Sequence, residues 1–208
     1  ESEGLSNLLG YADAACYTAK DRGRNRVHVY QAEDAELLKR QGEMQWVTRI
    51  TRALEENRMR LYVQPILPLH SHGMADRHYE MLLRMLDDDG ELVLPMAFIP
   101  AAERYNLMTS IDRWVIGAAF SAFHQLFPDA PDDQSLCTIN LSGQSLCDEK
   151  FLDLIERQFI LNKVPYSAIC FEITETAAIT NLTEAIHFIH TLKEKGCKFS
   201  LDDFGSGL

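Results

Sequence analysis

From Arg58 onward, short apolar runs alternate with longer stretches of helical periodicity, and this alternation limits the fold more than any other feature of the chain. The runs Leu61 to Ile66, His78 to Arg84, Cys137 to Leu141, Ile169 to Ile173 and Lys198 to Asp202 have the residue types of strands. Ile111 to Phe127, Glu149 to Leu161 and Leu182 to Lys195 carry apolar residues at helical spacing, with Asp148 and Asn181 placed to cap two of these helices. Strands alternating with helices predict a parallel α/β architecture. Five strands in this region are too few for a closed eight-stranded barrel, which takes about 250 residues, so the pattern predicts an unfinished barrel or a small open sheet. Loops are expected at 65–75, 87–90 and 128–134, where glycine, proline or acidic residues gather.

The front of the chain has a different pattern. Tyr11 to Lys20 is rich in helix formers and stops at Arg22-Gly23, where glycine can cap a helix end. Val27 to Tyr30 has the residue types of a short strand. Residues 32–57 contain no proline, and Leu37, Leu38, Met44, Val47, Ile50 and Leu54 mark a long amphipathic helix, which either connects two domains or opens the second one.

Composition narrows the function. With 46% hydrophobic and 25% charged residues, the chain has a globular and not a disordered balance. A net charge of -11 excludes a general basic surface for a nucleic acid polymer, because such affinity comes from Lys and Arg neutralising phosphates. The cysteines at 16, 137, 147, 170 and 197 are odd in number and form no CxxC pair, which predicts reduced, mostly buried thiols and a cytoplasmic location. No apolar run approaches the roughly 20 residues of a membrane span, so no membrane segment is expected here, and an anchor upstream in a longer parent stays compatible with that. The chain opens on Glu1-Ser2-Glu3 and closes on Gly207-Leu208, which reads as an internal piece of something longer.

The chemistry gathers on the strands. Four strands carry a carboxylate or carboxamide close to where they end: Asn140, Glu172, the pair Asp202-Asp203, and Glu80 in the second strand. In parallel barrels the carboxyl ends of several strands assemble the active site. Oxygen donors of this kind suit Mg²⁺ or Mn²⁺, whereas the lack of His and Cys clusters speaks against zinc. The plainer reading is a set of solvated strand-end acids, but neighbouring carboxylates repel one another unless a cation compensates. Adjacent Asp202 and Asp203 would point oppositely along a strand unless it ends at Asp202 and the turn redirects Asp203. Alternation puts Glu80, Leu82 and Arg84 on one face and Met81 and Leu83 on the other. Arg84 then either pairs with a buried carboxylate or meets a phosphate with its planar fork.

The motifs also resemble a known family. Leu61-Tyr62-Val63-Gln64-Pro65-Ile66, Tyr79-Glu80-Met81-Leu82-Leu83-Arg84, Phe98-Ile99-Pro100-Ala101-Ala102-Glu103 after Pro95, Ile139-Asn140-Leu141-Ser142, Phe171-Glu172-Ile173-Thr174-Glu175 and Leu201-Asp202-Asp203-Phe204-Gly205-Ser206-Gly207 recur in the order of EAL domains. The front, with Ala12-Asp13-Ala14-Ala15-Cys16-Tyr17, Ala19-Lys20 and Gly23-Arg24-Asn25-Arg26, resembles the end of a GGDEF domain. The resemblance implies three segments: the tail of a GGDEF domain at 1–31, a linker helix at 32–57 and the first part of an EAL domain at 58–208, a TIM-like barrel incomplete at its C-terminus.

It further implies hydrolysis of cyclic di-GMP to linear pGpG with Mg²⁺ or Mn²⁺. Glu80, Asn140, Glu172 and Asp202 correspond to metal ligands, and Asp203 to a residue at the second metal or its water. Gln64, Leu82 and Arg84 correspond to substrate contacts, and Glu175 to the glutamate that steadies the loop after Asp203. Met81 replaces the family's alanine and Ser206 its threonine, with little chemical effect expected from either. The family's catalytic lysine, a further glutamate and a glutamine fall beyond Leu208, so residues 1–208 alone are expected to be inactive and to expose strand edges. A catalytically silent receptor for cyclic di-GMP and an unrelated metal-binding α/β enzyme are the alternatives, and a homodimer would suit a signalling protein by analogy alone.

Overall fold

Strand alternation sorts the sheet of this protein into an apolar and a polar face, and the helices cover the first. The computed structural model describes residues 8, 11, 12, 15, 16, 19, 25–30, 35–67, 78–127, 135–203 and 205, with 35–43 described as backbone. The chain divides into two compact units, residues 1–49 and 50–208.

In the first unit, the described residues among 8–19 are helical, and Tyr11 stacks on Tyr30 with ring centroids 4.2 Å apart. Residues 27–30 form no strand. Their β-favouring types lack a ladder among the described residues, and side-chain type without pairing does not make a strand. Helix α1, Ala35–Glu55, forms within the proline-free stretch where a helix is expected.

The second unit holds strands β1 (Met59–Ile66), β2 (His78–Leu86), β3 (Leu92–Val93), β4 (Leu136–Leu141), β5 (Ile169–Thr174) and β6 (Lys198–Asp202). Between them lie helices α2 (Pro95–Arg104), α3 (Met108–Leu126), α4 (Gly143–Leu146), α5 (Glu149–Asn162), α6 (Glu175–Thr180) and α7 (Leu182–Glu194). The sheet order is β1-β2-β4-β5-β6, with β3 beside β2. Strands β2, β4, β5 and β6 are parallel, but β1 and β3 both run antiparallel to β2, which corrects the all-parallel expectation. The expected loop at 65–75 begins later than predicted, since Pro65 and Ile66 still belong to β1; residues 68–77 and 128–134 lie outside the described residues.

The crossovers that leave β4 and β5 start from capped turns, whereas α2 and α3 have no side-chain cap. Ser142 caps α4 by accepting from the Ser145 N–H, Asp148 caps α5 by accepting from Lys150 N–H, and Thr174 caps α6 by accepting from Ala177 N–H. Such caps satisfy amides that the first helical turn leaves without partners. Asn181 stands at the start of α7 but makes no capping bond; its amide turns back to the Ala177 carbonyl, 3.4 Å away.

The helix-facing side of the sheet carries Met81, Met85, Ile139, Phe171 and Ile173, each no more than 3% exposed. Met81 therefore packs in the core, where the replacement for alanine is expected to do so. Phe171 meets Phe188 of α7 edge-on at 6.4 Å, and Phe188 meets Phe199 of β6 at 6.3 Å. Burying one such side chain contributes about 1.5–3 kcal/mol, and the ring geometry adds about 0.5–1.5 kcal/mol per pair.

Truncating this core has a measurable consequence. Phe171→Ala is expected to cost about 3–5 kcal/mol in urea unfolding because it removes a fully enclosed ring. Ile160→Ala, at a side chain 73% exposed on α5, should stay within about 0.5 kcal/mol of wild type. Comparable losses in both variants would contradict the assignment of the core.

Candidate active site

The opposite face of the sheet is polar because every second residue must point there. Register aligns Arg60 with Arg84, Tyr62 with Leu82 and Gln64 with Glu80 across β1 and β2. It aligns Glu80 with Thr138, Asn140 with Glu172, Glu172 with Ser200, and Thr174 with Asp202 across the parallel strands. Partners in register share a face, so Glu80, Asn140, Glu172 and Asp202 all lie on the side away from the buried core.

Their heights differ. Asn140, Glu172 and Asp202 stand at or near the carboxyl ends of β4, β5 and β6, but Glu80 is close to the start of β2. Strand β2 continues past β4 because β1 and β3 pair with it there, so its carboxyl end is not level with those of its parallel neighbours. Side-chain length closes the gap: the Asn140 amide donates to Glu80 Oε1 at 3.0 Å. Glu172 Oε1 accepts from the Ser200 hydroxyl at 3.0 Å.

The carboxylates sense one another. Burial pushes the Glu172 carboxyl above its ordinary value of 4.5, the Ser200 hydrogen bond opposes this, and the negative charges of Asp202 and Glu80 add to the rise. Among the described residues, no three His, Cys, Asp or Glu side chains converge as a ready-made metal cage. Neutral donors, the Asn140 amide and the Ser200 hydroxyl, hold two of the carboxylates instead.

Strand β6 ends at Asp202, and Asp203 takes φ +54° with its N–H donating to Asp202 Oδ1 at 2.8 Å. The left-handed backbone turns the chain at that point, so the second aspartate leaves the strand's alternation; Asp is among the few non-glycine residues that adopt this conformation readily. Glu175, the first residue of α6, accepts the Gly205 N–H on Oε2 at 2.6 Å. That bond ties α6 to the residues following Asp203.

Arg84 holds no carboxylate among the described residues; its guanidinium donates to the Leu83 carbonyl at 2.7 Å and lies 5.8 Å from the Tyr62 ring centre. It therefore makes no structural ion pair with Glu80. Leu82, Arg84, Asn140, Ser142, Glu172 and Thr174 help to line a cavity of about 360 Å³ that extends under α2 and α3. Gln64 is exposed, faces Glu80 across the ladder and is not part of that lining.

Two polar residues here escape a reading of strand ends alone. Ser200 stands two positions before Asp202 on the same face, so alternation applied to β6 as it is to β2 would find it. Asp112 interrupts the apolar face of α3 between Ile111 and Val115 and is 3% exposed, a placement that requires hydrogen-bond partners. Burial pushes its carboxyl above the ordinary 3.8, and bonds from Ser142 and Ser145 hold it back. All five cysteines are free, and only Cys137, Cys170 and Cys197 are buried, where loss of solvent pushes the Cys137 and Cys197 thiols up to about 12.

Known proteins share the sequence and fold of this chain. A family model described as the EAL domain matches residues 47–208. The chain is 41% identical over 203 residues to "Cyclic di-GMP phosphodiesterase PdeB" of Shewanella oneidensis, covering 96% of this chain and 23% of that protein. It is 33% identical over 161 residues to "Cyclic di-GMP phosphodiesterase PdeF" of Escherichia coli K12, covering 77% of this chain and 21% of that protein. The chain thus spans less than a quarter of the length of these curated relatives. The crystal structure of the FimX EAL domain from Pseudomonas aeruginosa bound to c-di-GMP superimposes with a TM-score of 0.67 at 30% identity, over 77% of this chain and 62% of that one.

The crowding of carboxylates sets a pH dependence. A folded-state value above 4.5 means that the folded protein holds its proton longer than the unfolded one, so Glu172 costs stability increasingly as pH rises from 4.5 through that raised value. Without divalent cation, Glu172→Gln is expected to melt above wild type at neutral pH, with the difference closing below pH 4.5. Thermal melts across pH test this, and an identical melting temperature at neutral pH would refute it.

Proposed function

The chain belongs to the EAL domain family, and from that premise we propose that it supplies part of a metal-dependent phosphodiesterase that hydrolyses cyclic di-GMP to linear pGpG. The observation that carries this reading is the gathering of Glu80, Asn140, Glu172 and Asp202 on one face of the sheet, beside Arg84, which has no carboxylate partner among the described residues. The relatives named for this activity and the superimposed domain bound to c-di-GMP support it.

The donor set fits a hard divalent cation, Mg²⁺ or Mn²⁺. Its side chains offer oxygens only, and the mutual repulsion that raises Glu172 is the electrostatic cost such an ion would relieve. Rotation of the Asn140 amide by half a turn would present its oxygen, with Glu80 then released from the amide N–H it now accepts. Asp203, turned out of the strand by its backbone, would serve a second ion or its water. When bound, the cations supply Lewis-acid stabilisation of the phosphoryl oxygens and make water acidic enough to attack phosphorus.

The chain's own groups do the rest. The Arg84 fork is suited to hold a phosphate in register, and Leu82 and the cavity beside it would receive the attached nucleoside. Gln64, exposed across the ladder from Glu80, would touch the same dinucleotide from the β1 side. Glu175 would keep the residues after Asp203 in place through the Gly205 amide. In the hydrolysis, water oxygen bonds to phosphorus, one bridging P–O bond breaks, and the leaving ribose oxygen takes a proton.

We assign residues 1–31 to the end of a GGDEF domain, 32–57 to a connecting helix and 58–208 to the first part of a barrel whose remaining strands would complete the site. No helix among the described residues is long and apolar enough to cross a membrane.

In the full-length protein, Glu80→Gln or Asp202→Asn is expected to lower cyclic di-GMP turnover by about 10³-fold while circular dichroism stays as in wild type. Chelation should abolish turnover, and added Mn²⁺ should restore it. Full turnover in both variants would defeat the assignment of these ligands, and tight binding of cyclic di-GMP by wild type without hydrolysis would favour a receptor instead.

A further inference from the structure

A carboxylate outside the ligand set lies directly behind it. Asp112 of α3 sits among Ile111, Val115 and Ile116, and three donors converge on its Oδ2: the Ser142 N–H at 3.0 Å, the Ser142 hydroxyl at 2.6 Å and the Ser145 hydroxyl at 2.6 Å. Ser145 is fully buried, and its own N–H donates back to the Ser142 hydroxyl at 3.3 Å. Three donors share one acceptor oxygen at 2.6 to 3.0 Å, so this knot is stiff. It forms on the turn that leaves β4, two residues beyond Asn140. The neighbouring Arg113 grips the next turn by donating to Asp148, the cap of α5, at 2.6 Å.

We propose that Asp112 is a positioning residue: by clamping the turn at Ser142 and Ser145 it sets the direction in which Asn140 presents its amide beside Glu80. The turn also bears on a second part of the site. A Cβ at Gly143 would lie 3.0 Å from the Cβ of Ala177, so α4 and α6 touch with no room between them. Helix α6 begins with Glu175, which holds the Gly205 amide after Asp202 and Asp203. One buried oxygen on α3 thus fixes the turn after β4 and, through a backbone-close contact, the helix that restrains the loop after β6. Weakening that acceptor would loosen both without removing any group that touches substrate.

The metal half of this inference rests on the reading of Asn140 as a cation ligand. The test compares full-length wild type, Asp112→Asn and the control Ile155→Val, which trims a fully buried side chain of α5 outside the clamp. Hydrogen exchange followed by mass spectrometry reads the clamp without any metal, and Mn²⁺ binding followed by electron paramagnetic resonance reads its effect on the ligands. Asp112→Asn is expected to speed exchange at 142–146 while α5 stays protected, and to raise the Mn²⁺ Kd by about tenfold. Ile155→Val should lower the melting temperature and leave the Mn²⁺ Kd alone. Should Asp112→Asn fail to accumulate, Ser145→Ala removes one of the three donors and is read in the same way. Unchanged exchange at 142–146 overturns the clamp, and faster exchange with an unchanged Kd overturns the positioning role. A wild-type protein that binds no Mn²⁺ overturns the ligand reading itself, and the Asn140 step with it.

Discussion

Burial of one sheet face holds the site in place. Ile139, Phe171 and Ile173 are enclosed almost completely between strands and helices, and a strand that slipped by a single residue would bring Asn140 or Glu172 into that layer. Placing an ionised carboxylate among those rings costs far more than any local preference can return. The apolar side therefore dictates where the polar side stands. Side chains separated by as many as 122 positions, Glu80 and Asp202, come to one surface through this rule and need no direct attraction between them.

What collects there is poorly neutralised. Glu172 carries its charge reluctantly, and the hydroxyl and amide that attend it and Glu80 are neutral donors. Elsewhere the chain behaves differently: Asp148 meets Arg113, whose hydrogen bond holds its carboxyl below the ordinary range, and Arg58 meets both Glu56 and Asp88 at 2.9 Å. Glu56, Asp88 and Asp148 have cationic partners, whereas among the described residues Glu80, Glu172 and Asp202 form no ion pair. Crowded carboxylates of this kind carry an electrostatic cost, which shows in the raised Glu172 carboxyl.

Much of this was legible before any coordinates. The strands at Cys137, Ile169 and Lys198 are visible because their residue types and flanking helices agree at every level, and Asp203's departure from alternation follows from the glycine-containing turn beside it. The shorter elements were not legible. Leu92–Val93, Gly143–Leu146 and Glu175–Thr180 are too brief to complete a period, and Pro95–Arg104 contains a second proline at 100 that masks its helical character. The direction of β1 was equally hidden, since its residue types are the same whether the next strand runs with it or against it. The place of Glu80 near the start of β2 and not its end is hidden as well, because the extension of β2 along β1 and β3 leaves no mark on its own residues.

The backbone at Asp203 has an evolutionary side. With φ at +54°, that position accepts asparagine or glycine at little conformational cost and resists valine, isoleucine or threonine. The substitutions that the main chain admits most readily are those that erase the negative charge while sparing the architecture. Lineages carrying this turn can lose that charge in one step and keep the backbone around it, so its disappearance lies along the path of least steric resistance.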